Sequence, residues 1–115
     1  MKFYIASRFT NKPLILGVVQ QLERLGHTVI SRWHTVADEP WTQDDAVAYD
    51  LEDLDKADAL VLYTEDCERV PGGMHFELGY AYAKDKPCYL LGPPVHIFCR
   101  LLKPFSAIVE TAATV

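Results

Sequence analysis

The residues best placed to do chemistry in this 115-residue chain lie in one stretch, VPGGMHFELGYAYAKDKPCYLLG, from Val70 to Gly92. Glu77 stands about one turn into an apolar helix that the spacing places from about Gly73 onward, just after the pair Gly72 and Gly73. Met74, Phe76, Leu78, Tyr80, Ala81, Tyr82 and Ala83 surround it, and none of the residues three or four positions away is Lys or Arg. Such a carboxylate has no partner on its own helix. Two readings are open at this level. Glu77 is a first-turn acid beside a flexible turn, its ionised form favoured by the helix dipole. Alternatively it is presented to a bound small molecule, which two residues without a Cβ allow to come close. On a helical wheel Met74, Leu78, Ala81 and Tyr82 form the inward stripe, with Glu77 at its border.

The elements that must position this glutamate follow from hydrophobic periodicity. KFYIAS, 2–7, is a short apolar run suited to a buried strand. Leu14, Leu16, Val18, Val19, Leu22 and Leu25 then recur at mostly helical spacing, with Pro13 fit for a first turn and Gly26 for a C-terminal stop. HTVISRW, 27–33, reads as a second strand, 34–43 as a loop, and 44–56 as an acidic amphipathic helix. ADALVLYTE, 57–65, is the continuous apolar run that a strand covered on both faces requires. KPCYLLG, 86–92, gives a fourth strand, VHIFCRLL a short helix and FSAIVET, 105–111, a fifth strand. Strands alternating with helices predict a single flavodoxin-like α/β domain over 1–115, a parallel five-stranded sheet with helices on both faces. In such sheets ligands bind beyond the carboxyl ends of the strands, where strand order reverses. For order 2-1-3-4-5 that point lies between strands one and three. The rule selects Ser7, Arg8 and Phe9, together with residues 64–77, so Glu77 falls on the functional edge.

Bulk properties exclude several classes. The net charge of −5, with acids concentrated between Asp38 and Asp58, argues against an electrostatic grip on nucleic acid. No segment approaches the ~20 apolar residues of a membrane span, and the opening residues read as a strand rather than a signal peptide, so a cytoplasmic protein is expected. Cys67, Cys88 and Cys99 are odd in number and irregularly spaced, which fits structural thiols rather than a metal or redox site. The glycines match neither GxxxxGK[ST] nor GxGxxG, which sets aside those nucleotide-binding classes. Ser7 and Arg8 suit a phosphate or hydroxyl group, and equally a strand-end turn. His75 suits a substrate hydrogen bond, and equally an exposed first turn. Trp33 and Trp41 flank a loop able to fold over a base, and equally suit partial core.

The stretches GGMHFELGYAYAKDKP, YDLEDLDKADALVLYTE and FYIASRF together resemble the nucleoside 2-deoxyribosyltransferase superfamily, which includes 2'-deoxynucleoside 5'-phosphate N-hydrolases. The resemblance runs from Phe3 to about Gly92, and Glu-Leu-Gly-Tyr-Ala at 77–81 is its most specific element. It implies that Glu77 is the nucleophile attacking C1' of the deoxyribose, that Asp50 assists the departing base, that Tyr4 lies beside the nucleophile and that Phe9 lines the base pocket. Ser7, Arg8, Gly72, Gly73 and His75 would then shape the substrate site. No metal or organic cofactor is implied, and the partner is a small nucleoside or nucleotide. Assembly into a homo-oligomer is expected, with VHIFCRLL offering apolar surface. Pro71 stands six residues before Glu77, where the transferases resembled here carry an aspartate and the phosphohydrolases a serine. Three activities therefore remain in view: deoxyribosyl transfer or cleavage, hydrolysis of deoxynucleoside 5'-monophosphates, and nucleotide binding without chemistry.

Overall fold

The computed structural model describes residues 1–35, 41–65 and 68–113, without the side chains of Phe9 and residues 111–113. Five strands, β1 (Lys2–Ala6), β2 (Thr28–Val29), β3 (Ala59–Tyr63), β4 (Cys88–Leu91) and β5 (Lys103–Pro104), form an all-parallel sheet in the order β2-β1-β3-β4-β5. Four helices, α1 (Lys12–Arg24), α2 (Gln43–Lys56), α3 (Gly72–Ala83) and α4 (Ser106–Ala113), complete a flavodoxin-like fold with helices on both faces. Every residue of β3 is buried, as is all of β1 beyond Lys2, which is what coverage on two sides demands of a central pair. Tyr4 lies opposite Leu60 in the β1–β3 register, near the middle of this core.

Local chemistry explains the ends of the elements that matter to the site. Thr42 caps α2 by accepting a hydrogen bond from the Asp45 amide at 3.0 Å, and Asp44 and Asp45 occupy its first turn, where the dipole favours acids. Pro13 sits in the first turn of α1, and Gly26 follows that helix at φ 88°, a conformation that suits glycine. Pro71 precedes α3 without any side-chain cap.

Three expectations are corrected. The stretch 105–111 is not the fifth strand. Phe105 and Ile108, three apart and both buried, lie on one side of α4 and its entry, while the edge strand is the exposed pair Lys103–Pro104. A proline is tolerated there because an edge strand has one side without ladder bonds. In α1 the buried stripe is Ile15, Val18 and Leu22, with Leu14 and Leu16 exposed. In α3 it is Met74, Leu78 and Ala81, and Tyr82 is half exposed.

Candidate active site

Three side chains from three elements line one cleft. Tyr4 comes from β1, Asp50 from the middle of α2 and Glu77 from the second turn of α3. The Tyr4 hydroxyl donates a hydrogen bond to Oε2 of Glu77. The glutamate without a local partner thus has one 73 residues away in sequence. Oδ1 of Asp50 is buried and meets no hydrogen-bond partner among the described residues. Burial of such an oxygen costs free energy unless a ligand or water satisfies it.

The electrostatics differ from what helix position alone predicts. Burial pushes Glu77 up to about 7, the Tyr4 hydrogen bond opposes that rise, and the charge of Asp50 adds to it. Desolvation therefore disfavours ionised Glu77, the opposite of what its place near the helix start predicts. Burial also pushes Asp50 up to about 6, followed by the charge of Asp53, with the Tyr4 hydroxyl and Arg32 pulling the other way. Tyr4 is raised far above the ordinary phenol range, by burial first and then by Glu77 and Asp50, so it stays a protonated donor.

A cleft of about 130 Å³ opens onto this trio, lined by Tyr4, Ser7, Trp33, Asp50 and Glu77. Ser7 is fixed by Asn11, whose side-chain amide donates to its Oγ at 3.0 Å. Trp33 is buried and its indole N–H donates to the Ile5 carbonyl at 2.7 Å, locking one wall of the cleft to β1. Arg8, which follows Ser7, lines a second cleft of about 800 Å³ with Glu68, Arg69, Val70, Pro71 and Gly72, at the uncapped start of α3. A Cβ built on Gly72 or Gly73 would meet nothing within 4 Å, so the protein's own packing does not require glycine at either position.

The remaining expected site residues are distributed differently. His75 lines a separate apolar groove of about 530 Å³ with Leu78, Gly79, Tyr82, His96, Phe98 and Leu101, and its ring lies 4.4 Å from that of His96. The side chain of Phe9 lies outside the described residues. Trp41 packs on Tyr49 with ring centroids 4.7 Å apart. Cys88 and Cys99 are buried free thiols, whereas Cys67 lies outside the described residues. No group of three or more metal-ligating side chains occurs among the described residues, and no helix there is long and apolar enough to cross a membrane. Trp33 and the part burial of Asp50, whose Oδ1 is enclosed, are what sequence reasoning undervalued. An acidic helix reads as solvated, and a tryptophan near a strand end reads as core.

No family model and no curated protein matches the chain. Solved structures do. A conserved protein from Enterococcus faecalis V583 superposes with a TM-score of 0.67 at 21% identity, covering 78% of this chain and 62% of that one. The chain therefore spans less than two thirds of that protein. A 2-deoxyribosyltransferase from Bacillus psychrosaccharolyticus superposes with a TM-score of 0.65 at 28% identity over 84% of this chain and 76% of the other. The Clostridium botulinum CMP N-glycosidase BcmB gives 0.67 at 18% identity over 99% and 97%. The resemblance carried by the sequence motifs thus extends to the three-dimensional structure: this chain resembles the nucleoside 2-deoxyribosyltransferase superfamily over most of its length and shares its fold.

Proposed function

We propose that this protein cleaves or transfers the N-glycosidic bond of a nucleoside, with the 2'-deoxynucleosides as the first substrate class. The observation that carries the reading is the convergence of Glu77, Tyr4 and the partnerless buried oxygen of Asp50 on one cleft. The structural likeness to a 2-deoxyribosyltransferase and a CMP N-glycosidase supports it. Tyr4 holds Oε2 of Glu77, which leaves Oε1 as the attacking atom. Oε1 bonds to C1' as the C1'–N bond breaks, its electron pair passes to the base, and the Asp50 carboxyl protonates the departing base. The glycosyl ester on Glu77 is then released by an acceptor base, giving transfer, or by water that loses its proton to the Asp50 carboxylate, giving hydrolysis. Retaining glycosidases divide the work between two carboxyl groups in the same way.

The reaction needs Glu77 ionised and Asp50 protonated, so the active form is the singly protonated pair. With Glu77 at about 7 and Asp50 at about 6, that form is most populated between the two values. Cationic character developing at C1' then favours ionised Glu77.

A second reading, hydrolysis of nucleoside 5'-monophosphates, is supported by the neighbouring cleft. Arg8 and Arg69 line it together with the uncapped start of α3, a combination suited to a phosphate. Gly72 and Gly73, not needed for packing, would let the phosphate reach the backbone. Self-association through the exposed Phe98 and Leu101 is part of the same reading, and the sedimentation mass tests it. The decisive assay is chromatography of free base released from deoxynucleosides and their 5'-monophosphates, with and without an acceptor base. Release from the nucleosides that rises with acceptor supports transfer. Release only from monophosphates establishes the second reading, and no release from either set removes the enzyme assignment.

A further inference from the structure

An ion pair with one buried member, Arg32 with Asp53, lies one turn along α2 from Asp50. Asp53, one turn further along α2, is only 3% exposed. Its carboxylate accepts from the Arg32 backbone amide at 3.0 Å and from Arg32 Nε at 3.0 and 3.2 Å. The same guanidinium lies 4.8 Å from the centre of the Tyr49 ring, which in turn packs on Trp41. Arg32 precedes Trp33, a wall of the cleft, and Tyr49 precedes Asp50. One pair therefore grips the chain on both sides of the site.

We propose that the Arg32–Asp53 pair is a positioning device for the candidate acid: it ties the segment carrying Trp33 to the turn of α2 carrying Asp50 and sets an ion pair one turn along the helix from that carboxyl. The proposal rests on the reading of Asp50 as the acid. Among the described residues, the charged and titratable groups that act on Asp50 or are acted on by it are Tyr4 from β1, Glu77 from α3, Arg32 from the segment after β2 and Asp53 on its own helix. Asp53 and Arg32 act on Asp50 in opposite directions, the first raising its proton affinity and the second lowering it.

The test is a carboxyl-carbon NMR titration of the full chain, with the pH profile of base release measured alongside. Asp53→Asn leaves Arg32 unbalanced and moves the lower midpoint of the Asp50–Glu77 pair downward by roughly half a pH unit or more. Arg32→Met leaves Asp53 unbalanced and moves it upward by a similar amount. Arg32→Lys keeps the charge and restores the wild-type midpoint, and the double variant falls between the two single ones. The Arg32 side chain is 40% exposed, so Arg32→Met keeps the test decisive should Asp53→Asn fail to fold. Unmoved midpoints in folded variants, or movement in the same direction in both, would overturn the proposal. Midpoints that move as stated in a protein that releases no base would instead overturn the catalytic reading and leave the pair's influence on Asp50 intact.

Discussion

Acids on the same helix, α2, are treated in opposite ways. Asp50 lines one cleft with Glu77 and Tyr4, the opposing pull of Arg32 on it is outweighed by burial and the charge of Asp53, and both carboxyls are held well above the carboxylate range. Within one turn, Glu52 accepts from Lys56 at 2.9 Å and from Arg32 at 3.3 Å, and is held below that range by the Lys56 hydrogen bond and charge and then by Arg32. Asp53 is buried but fully engaged with Arg32. Arg32 hydrogen-bonds the buried Asp53 directly, whereas no ion pair among the described residues reaches Asp50 or Glu77. A protein retains such an uncompensated cost where a ligand or a reaction uses it, and perturbed carboxyls in a cleft are candidates for chemistry for that reason.

The sharpest way to break the contrast is to remove acidity from one side of it. Glu77→Gln keeps the shape and lowers base release by roughly 10³-fold or more, measured by chromatography, because the nucleophile is lost. Asp50→Asn lowers it by about 10²–10⁴-fold, with the smallest loss on bases that leave easily without a proton. Tyr4→Phe has a milder effect, on the order of tenfold, and removes a hydrogen bond that holds Glu77 down. The limb assigned to ionisation of Glu77 should therefore move to higher pH in that variant. For the unsubstituted protein the pH profile of base release is a bell with limbs near 6 and 7.

Stability sharpens the same comparison from the other direction. A carboxyl whose folded-state value is raised contributes stability that is fully present below its unfolded value, near 4.5 for Glu77, and is lost as pH rises through about 7. Glu77→Gln removes that loss. The variant should be more stable than the unsubstituted protein at pH 8 by on the order of 1–3 kcal/mol and nearly equal to it at pH 4, as read by thermal melts. At the exposed end of α2, Lys56→Ala should change the melting temperature least of all, since the Glu52–Lys56 pair is a surface contact.

The sheet was legible because β1 and β3 are continuous apolar runs, a pattern that only coverage on two faces explains. Strand order and the switch point then followed from topology. The fifth strand was not legible: two residues, one of them Pro104, carry no periodic signal, while Ile108 and Val109 within a short helix imitate a strand. Glu77 was found because its missing local partner is a local property. Its actual partner, Tyr4, is contributed by another strand, so no window of sequence contains the pair. Asp50 was harder still. Seen alone, it is one acid among several on α2, and only packing against β1 and α3 distinguishes it from Glu52 two residues later.

The central claim is that Glu77 forms a bond to the sugar, and mass spectrometry of the quenched enzyme tests it most directly. A slow nucleoside substrate bearing an electronegative 2'-substituent would be mixed with the protein, quenched in acid and digested. The account predicts that the peptide containing Glu77 gains the mass of one dehydrated sugar, and that Glu77→Gln shows no such adduct. Base release that persists undiminished in Glu77→Gln, with no adduct on that peptide in the unsubstituted protein, would contradict it.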